Sequence, residues 1–249
     1  MRRRLTAGVV TVILACTARS AAAQTKAWPE KGWFSVSGGV QPTVNSFADA
    51  FDLPLYTEKE HVTVSYPVTG GTLVAASGGY RVWKQLAIGL GVTRYNRGAS
   101  ATVNAQIPHP FFDNQLRPVQ GTTSATRNEV GVHVLVGWMM PLTDRLRLLV
   151  TAGPSAISVG QTLVTGAQFS ETYPYDTATF TGADTKNATV TAIGFNAGAD
   201  VFWMFSRNIG AGGLIQFTRA RAKESTGTGR TITVDAGGAQ AGAGLRFVF

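Results

Sequence analysis

The sequence predicts an all-β chain, an eight-stranded antiparallel up-and-down barrel that crosses a membrane. Three observations predict it. Apolar and small or polar residues alternate with period two, as in Val130, Val132, Val134, Val136 and Trp138 against Gly131, His133, Leu135 and Gly137, the pattern of a strand with one lipid face and one enclosed face. The connectors between such segments alternate between short and long. The composition is poor in charge, 14% against about 25% in soluble domains, and rich in glycine, 29 of 249 residues. A hydrophobic content of 44% excludes wholesale disorder, and no uncharged apolar run of membrane-helix length follows the N-terminus, which excludes a helical bundle.

Residues 1–23 read as a leader. Met1-Arg2-Arg3-Arg4 is a basic start, Leu5 to Ala15 an apolar stretch, and Ala21-Ala22-Ala23 a small-residue cleavage site before Gln24. This is the form of a Sec signal peptide cleaved after Ala23. The apolar stretch is too short to span a bilayer as an anchor. Ile13-Leu14-Ala15-Cys16 loosely matches a lipobox, an alternative that the bulk of Leu14 disfavours. Cleavage after Ala23 removes Cys16 and leaves no thiol chemistry. It also removes Arg2, Arg3, Arg4 and Arg19, which halves the formal net charge of +8. The remaining basic residues are scattered singly, so nucleic-acid binding is not expected.

Eight strands are expected at 32–41, 72–83, 85–95, 127–140, 145–160, 188–205, 209–220 and 231–249. The turns near Lys84, Pro141 to Asp144 and Ser206 to Asn208 are short. The connectors 42–71, 96–126, 161–187 and 221–230 are long. In outer-membrane barrels the short side faces the periplasm, which puts both ends of the barrel there. The alternating stretch from His61 to Tyr66 hints at further strand above the membrane. Trp33, Trp83, Trp138 and Trp203 then all fall at the short-turn end and are expected to form a periplasmic aromatic girdle with Phe205, Phe247 and Phe249.

The sequence closes on Gly244-Leu245-Arg246-Phe247-Val248-Phe249, with Leu245, Phe247 and the terminal Phe249 at alternate positions. This resembles the C-terminal β-signal of outer-membrane proteins, and the resemblance implies recognition by the barrel assembly machinery. With the leader and the strand count, residues 24–249 resemble the small barrels of the OmpA-transmembrane, OmpX and OmpW type. No segment follows the barrel, so the peptidoglycan-binding role of full OmpA proteins is not expected. The resemblance implies a monomer embedded in outer-membrane lipid.

Facing the glycine-rich side inward places Ser35, Ser37, Ser77, Arg81, Thr93, His133, Arg147, Thr151, Asn196, Asp200, Gln216, Gln240 and Arg246 in the lumen. An eight-stranded barrel is only wide enough to be filled by side chains or to hold a narrow path. Inward charges need partners, so Arg81, Arg147 and Arg246 are expected to share Asp200 in a network with His133 and Asn196. Two roles follow, a structural plug or a narrow, low-conductance conduit. Recognition or adhesion through the long loops, which carry Pro108 to Phe112, Arg117-Pro118, Tyr173-Pro174-Tyr175 and Phe180, is the alternative, with an extracellular ligand as partner.

A lipid-modifying enzyme is a third class. It would need a nucleophile and base on one rim, and the sequence offers only His61, His109 and His133. None stands in a His-x-Ser pair, so no catalytic residue is assigned. No histidine pair has ligand spacing, and neither metal nor cofactor is expected.

Overall fold

The computed structural model describes residues 30–42, 46–67, 70–226 and 230–249. The leader, its cleavage site after Ala23 and Cys16 lie outside the described residues. Ten strands form one sheet: β1 (Gly32–Gln41), β2 (Phe47–Leu55), β3 (Glu58–Tyr66), β4 (Gly71–Trp83), β5 (Leu86–Pro108), β6 (Leu116–Pro141), β7 (Leu146–Glu171), β8 (Ala178–Met204), β9 (Ile209–Thr226) and β10 (Arg230–Val248). Eight of them close a ring, in the order β1-β4-β5-β6-β7-β8-β9-β10, and β10 pairs back onto β1 from Trp33↔Val248 to Val40↔Ala241. Every pairing is antiparallel.

The outside of the ring follows the alternation read from the sequence. Val36, Val74, Ile88, Leu90, Val92, Val130, Val132, Val134, Val136, Ile193, Ile215 and Leu245 stand exposed on it. Val130 to Trp138 rises about 27 Å along β6, or roughly 20 Å along the barrel axis at the usual strand tilt. That belt is the height of a bilayer's hydrocarbon, and an exposed apolar surface of this extent is stable only in lipid. Trp83, Trp138, Trp203, Phe205, Phe247 and Phe249 ring its short-turn end and are exposed.

Trp33 departs from that girdle. It is only 1% exposed and points into the lumen, because it shares the parity of inward Ser35 while Phe34 and Val36 face out. Its ring packs where Gly79 has no side chain: a Cβ there would lie 2.2 Å from Trp33 Cη2.

The long connectors are not loops. β5 and β6 pair without interruption from Leu86↔Trp138 to Pro108↔Leu116, and β7 and β8 run as one hairpin to Glu171↔Ala178. Segments expected as loops at 96–126 and 161–187 are therefore strand hairpins standing well beyond the belt. Their alternation persists, with Ala101, Val103, Ala105 and Ile107 buried between polar Thr102, Asn104 and Gln106, but the outward face has become polar. The 42–71 connector holds the extra hairpin β2–β3, which turns on Tyr56, at φ 55°, and adds to the upper half of β5 at Val62↔Ala105 and Ser65↔Thr102. The hint at His61 to Tyr66 is thus a strand, paired with β2 and β5. Phe51, Val62, Val64 and Tyr66 of this hairpin pack on Ala101, Val103, Ala105, Ile107, Val119, Leu163 and Val164. The Tyr66 hydroxyl reaches across to accept the Val164 N–H at 2.7 Å. These contacts make a second apolar core above the membrane.

Candidate functional site

The lumen is filled in layers. At the short-turn end Trp33, Ala87, Met139, Leu149, Phe202, Met204 and Val248 form a buried apolar floor. Above it Arg246, 2% exposed, makes an ion pair with Asp200, and its guanidinium stacks 4.2 Å over the Phe202 ring. A charge enclosed this way needs both a counter-ion and a polarisable neighbour to offset its lost hydration.

Only part of the expected network assembles. Asp200 takes Arg246, but Arg147 does not share it. Arg147 instead donates from Nη1 and Nη2 to the two oxygens of Glu30 at 2.6 and 2.9 Å, closing the short-turn rim with the segment just before β1. Arg81 stays half-buried at the same rim, beside the bulge in the β4–β5 pairing, where its backbone N–H bonds the Lys31 carbonyl. The parity argument places these arginines inward, yet their partners depend on height along the barrel, which parity does not give.

His133 and Asn196 do meet. His133 Nε2 lies 2.9 Å from Thr93 Oγ1 and Nδ1 lies 2.8 Å from Ser155 Oγ. Ser155 in turn accepts from Asn196 Nδ2 at 2.9 Å. The same amide approaches the carbonyls of Val134, Gly153 and Pro154 at 3.2, 2.9 and 3.1 Å. The β6–β7 pairing breaks between His133↔Ser155 and Val136↔Ala152, where Pro154 has no N–H to give. Asn196, reaching over from β8, supplies a donor in its place. Ser35 and Ser77 hydroxyls pair across β1 and β4 at 2.8 Å. The cavity between Ser35, Thr93, His133, Asp200, Gln216 and Arg246 measures about 30 Å³, room for a water or two.

A third polar layer was not read from the sequence. Arg127 and Glu129 pair at 2.8 Å with both side chains nearly fully buried. Arg127 Nη2 also donates to the Asp235 carbonyl at 2.5 Å, and Nη1 lies 3.4 Å from Gln161 Oε1. Glu129 Oε2 accepts the Gly237 N–H at 2.9 Å. Gln41 donates to the Gly237 carbonyl and accepts from Gln240. Gly237 has φ 84°, a conformation natural only to glycine, which aims its peptide into this layer. Arg127 and Glu129 share the parity of His133, so the continuing alternation was the signal that could have found them.

At the far end of the long hairpins Arg117 is only 3% exposed. It donates to Glu171 Oε2 at 2.5 Å, to the Tyr175 carbonyl at 2.7 Å and to the Pro108 carbonyl at 2.6 Å. The Tyr56 hydroxyl bonds the other oxygen of Glu171, and burial with that carboxylate neighbour pushes the Tyr56 phenol above its ordinary range. The β2–β3, β5–β6 and β7–β8 tips are thereby tied together. His109 Nδ1 accepts the Phe111 and Phe112 N–H groups at 3.1 and 3.2 Å. Phe111, Phe112 and Tyr173 are 71%, 60% and 82% exposed, and Phe111 and Tyr173 each set a ring edgewise to Tyr175. His61 pairs with Asp52 at 2.6 Å on the exposed face of β3. Among the described residues, no group of three metal-ligating side chains comes together.

A closed eight-stranded barrel with an apolar outer belt and a polar, filled interior defines an outer-membrane β-barrel protein. Solved structures of similar shape are of that kind. They include Neisserial surface protein A (12% identity, TM-score 0.45, 88% of this chain and 97% of that one) and OprG of Pseudomonas aeruginosa (11%, 0.45, 88% and 97%). The outer membrane protease OmpT of Escherichia coli also overlaps (8%, 0.45, 92% and 100%). These likenesses reach the arrangement of strands and no further. No family model and no curated protein matches the sequence.

Proposed function

We propose that this chain is a non-conducting barrel that anchors a rigid surface-recognition tip, with its short-turn end in the periplasm. The observation that carries the reading is the Arg117 clamp. A buried guanidinium that joins two hairpins through two carbonyls and a carboxylate holds Phe111, Phe112 and Tyr173 in fixed positions while leaving them exposed. Aromatic side chains have little rotamer entropy to lose on binding and large apolar area to bury, which suits them to contact surfaces. The layered interior supports the closed half of the reading, because a water path would have to pass the Trp33 floor, the Asp200–Arg246 pair and the Arg127–Glu129 layer. The conduit reading would need all three to rearrange.

The chain is read as no enzyme. The His61–Asp52 pair is half exposed and, among the described residues, no hydroxyl nucleophile is shown hydrogen-bonded to it; His133 is bonded to hydroxyls but enclosed in the lumen. Its partners in this reading are outer-membrane lipid around a monomer, the barrel assembly machinery through Leu245, Phe247 and Phe249, and one extracellular ligand. The test is binding of the folded protein in nanodiscs to arrays of glycans and extracellular-matrix proteins, set against the Phe111→Ser/Phe112→Ser/Tyr173→Ser variant. A signal lost in the variant supports recognition by the tip. Equal binding by both, or none by either, overturns it.

A further inference from the structure

Above the plug lies a cavity of about 170 Å³ between Ser46 and Phe47 at the start of β2, Arg127 and Gln161 on β6 and β7, and Thr233 to Asp235 on β10. It adjoins an apolar slot bounded by Phe47, Tyr66, Ala99, Ala101 and Ala125, with Arg97 at its wall. Phe47 and Tyr66 stack at 4.5 Å to make one side of that slot. The carboxylates at the polar floor already have partners. Both Glu129 oxygens are taken, by Arg127 and by the Gly237 N–H. The Asp235 carboxylate is held by Arg221 at 2.7 Å, a contact that keeps its pKa below the usual range. Donors are in surplus. Among the described residues, Gln161 is 95% buried and its Nε2 has no acceptor, and Arg127 Nη1 meets only the long contact to Gln161 Oε1. Buried donors left without acceptors are unfavourable, which a ligand's acceptor would relieve.

We propose that this vestibule binds a small amphipathic carboxylate, its anion on Arg127 and Gln161 and its apolar body against Phe47 and Val234. A cavity of about 150 Å³ holds a benzene ring, so an aromatic or short-chain acid fits the space. The carboxylate offers an acceptor each to Gln161 Nε2 and Arg127 Nη1, and an anion at a guanidinium out of bulk water forms the stronger class of hydrogen bond. The site goes beyond the recognition reading and stands independently of whether the lumen beneath Arg127 is closed.

Benzoate is the probe, titrated against folded protein in nanodiscs by saturation-transfer NMR, with benzyl alcohol as the neutral analogue. Saturable benzoate binding is expected, at least about 10-fold tighter than benzyl alcohol, since one charge-assisted contact is worth that factor. Gln161→Leu should weaken it about 10-fold, and Ser46→Trp, which fills the mouth without touching the plug, should abolish it. Heat-modifiable gel mobility reports that each variant has folded. No saturable binding by the folded protein overturns the proposal, as does binding that is unchanged in both variants, which is partition into lipid. Single-channel steps with benzoate binding intact would remove the closed lumen and leave the site. Silent protein that ignores benzoate would do the reverse.

Discussion

Trp33 occupies the room that Gly79 leaves: its indole fills the space into which any side chain at position 79 would project, 2.2 Å from Cη2. The floor of the barrel is therefore a matched pair on neighbouring strands, Trp33 on β1 facing Gly79 on β4. Trp33→Ala should destabilise the barrel by about 3–5 kcal/mol, the cost of emptying a large aromatic site. Gly79→Val should impair folding as well, by overpacking. In urea unfolding from lipid vesicles, the double variant Trp33→Ala/Gly79→Val should be more stable than the sum of the two single changes.

Asn196 substitutes for the N–H that Pro154 cannot supply. Asn196→Leu should cost about 1–3 kcal/mol by stranding the Val134 and Gly153 carbonyls. Pro154→Ala restores a ladder donor, so the loss caused by Asn196→Leu should shrink in the Pro154→Ala background. A double-mutant cycle with no coupling would show that the amide and the proline act separately.

The tip depends on one cation. Arg117→Met removes the donor for Pro108, Tyr175 and Glu171 and leaves the carboxylate without its counter-ion, a loss of about 3–5 kcal/mol borne by the extracellular extension and not by the membrane belt. Limited proteolysis should cut between 108 and 116 or 171 and 178 in the variant. The belt should stay folded by gel mobility.

Glu60 lies buried on β3, and burial raises its pKa, offset in part by a backbone hydrogen bond from Ala167. A carboxyl whose folded pKa is raised stabilises the fold fully below its unfolded pKa, and that contribution is lost as pH rises through the folded value. Glu60→Gln should therefore protect the β2–β3 hairpin from proteolysis several-fold at pH 7. Near pH 4 the variant and the parent should be alike.

Much of the membrane part was legible because lipid on one side and a narrow lumen on the other impose strict alternation. Leu86 to Val92 and Val130 to Trp138 carry that alternation openly, and the turns at Lys84 and Ser206 fix the hairpins. The half beyond the belt was misread for the same reason: once water replaces lipid, the outer residues become Thr, Ser and Asn, and the segments 96–126 and 161–187 look like loops. Trp33 was misplaced by weighing residue type above parity, although inward Ser35 two positions on already fixed its direction. Arg147 shows a different limit. Its inward aim follows from the sequence, but its partner Glu30 belongs to the segment before the first strand, and only closure of the ring brings the two together.

The central claim, a lumen closed by the Trp33 floor, the Asp200–Arg246 pair and the Arg127–Glu129 layer, is tested most directly by single-channel recording in planar bilayers. The protein used should be folded by heat-modifiable mobility. The account predicts no discrete steps from the parent protein, and steps appearing when Trp33→Ala and Arg127→Ala are combined in a variant that still folds. Reproducible steps from the unaltered protein would contradict it.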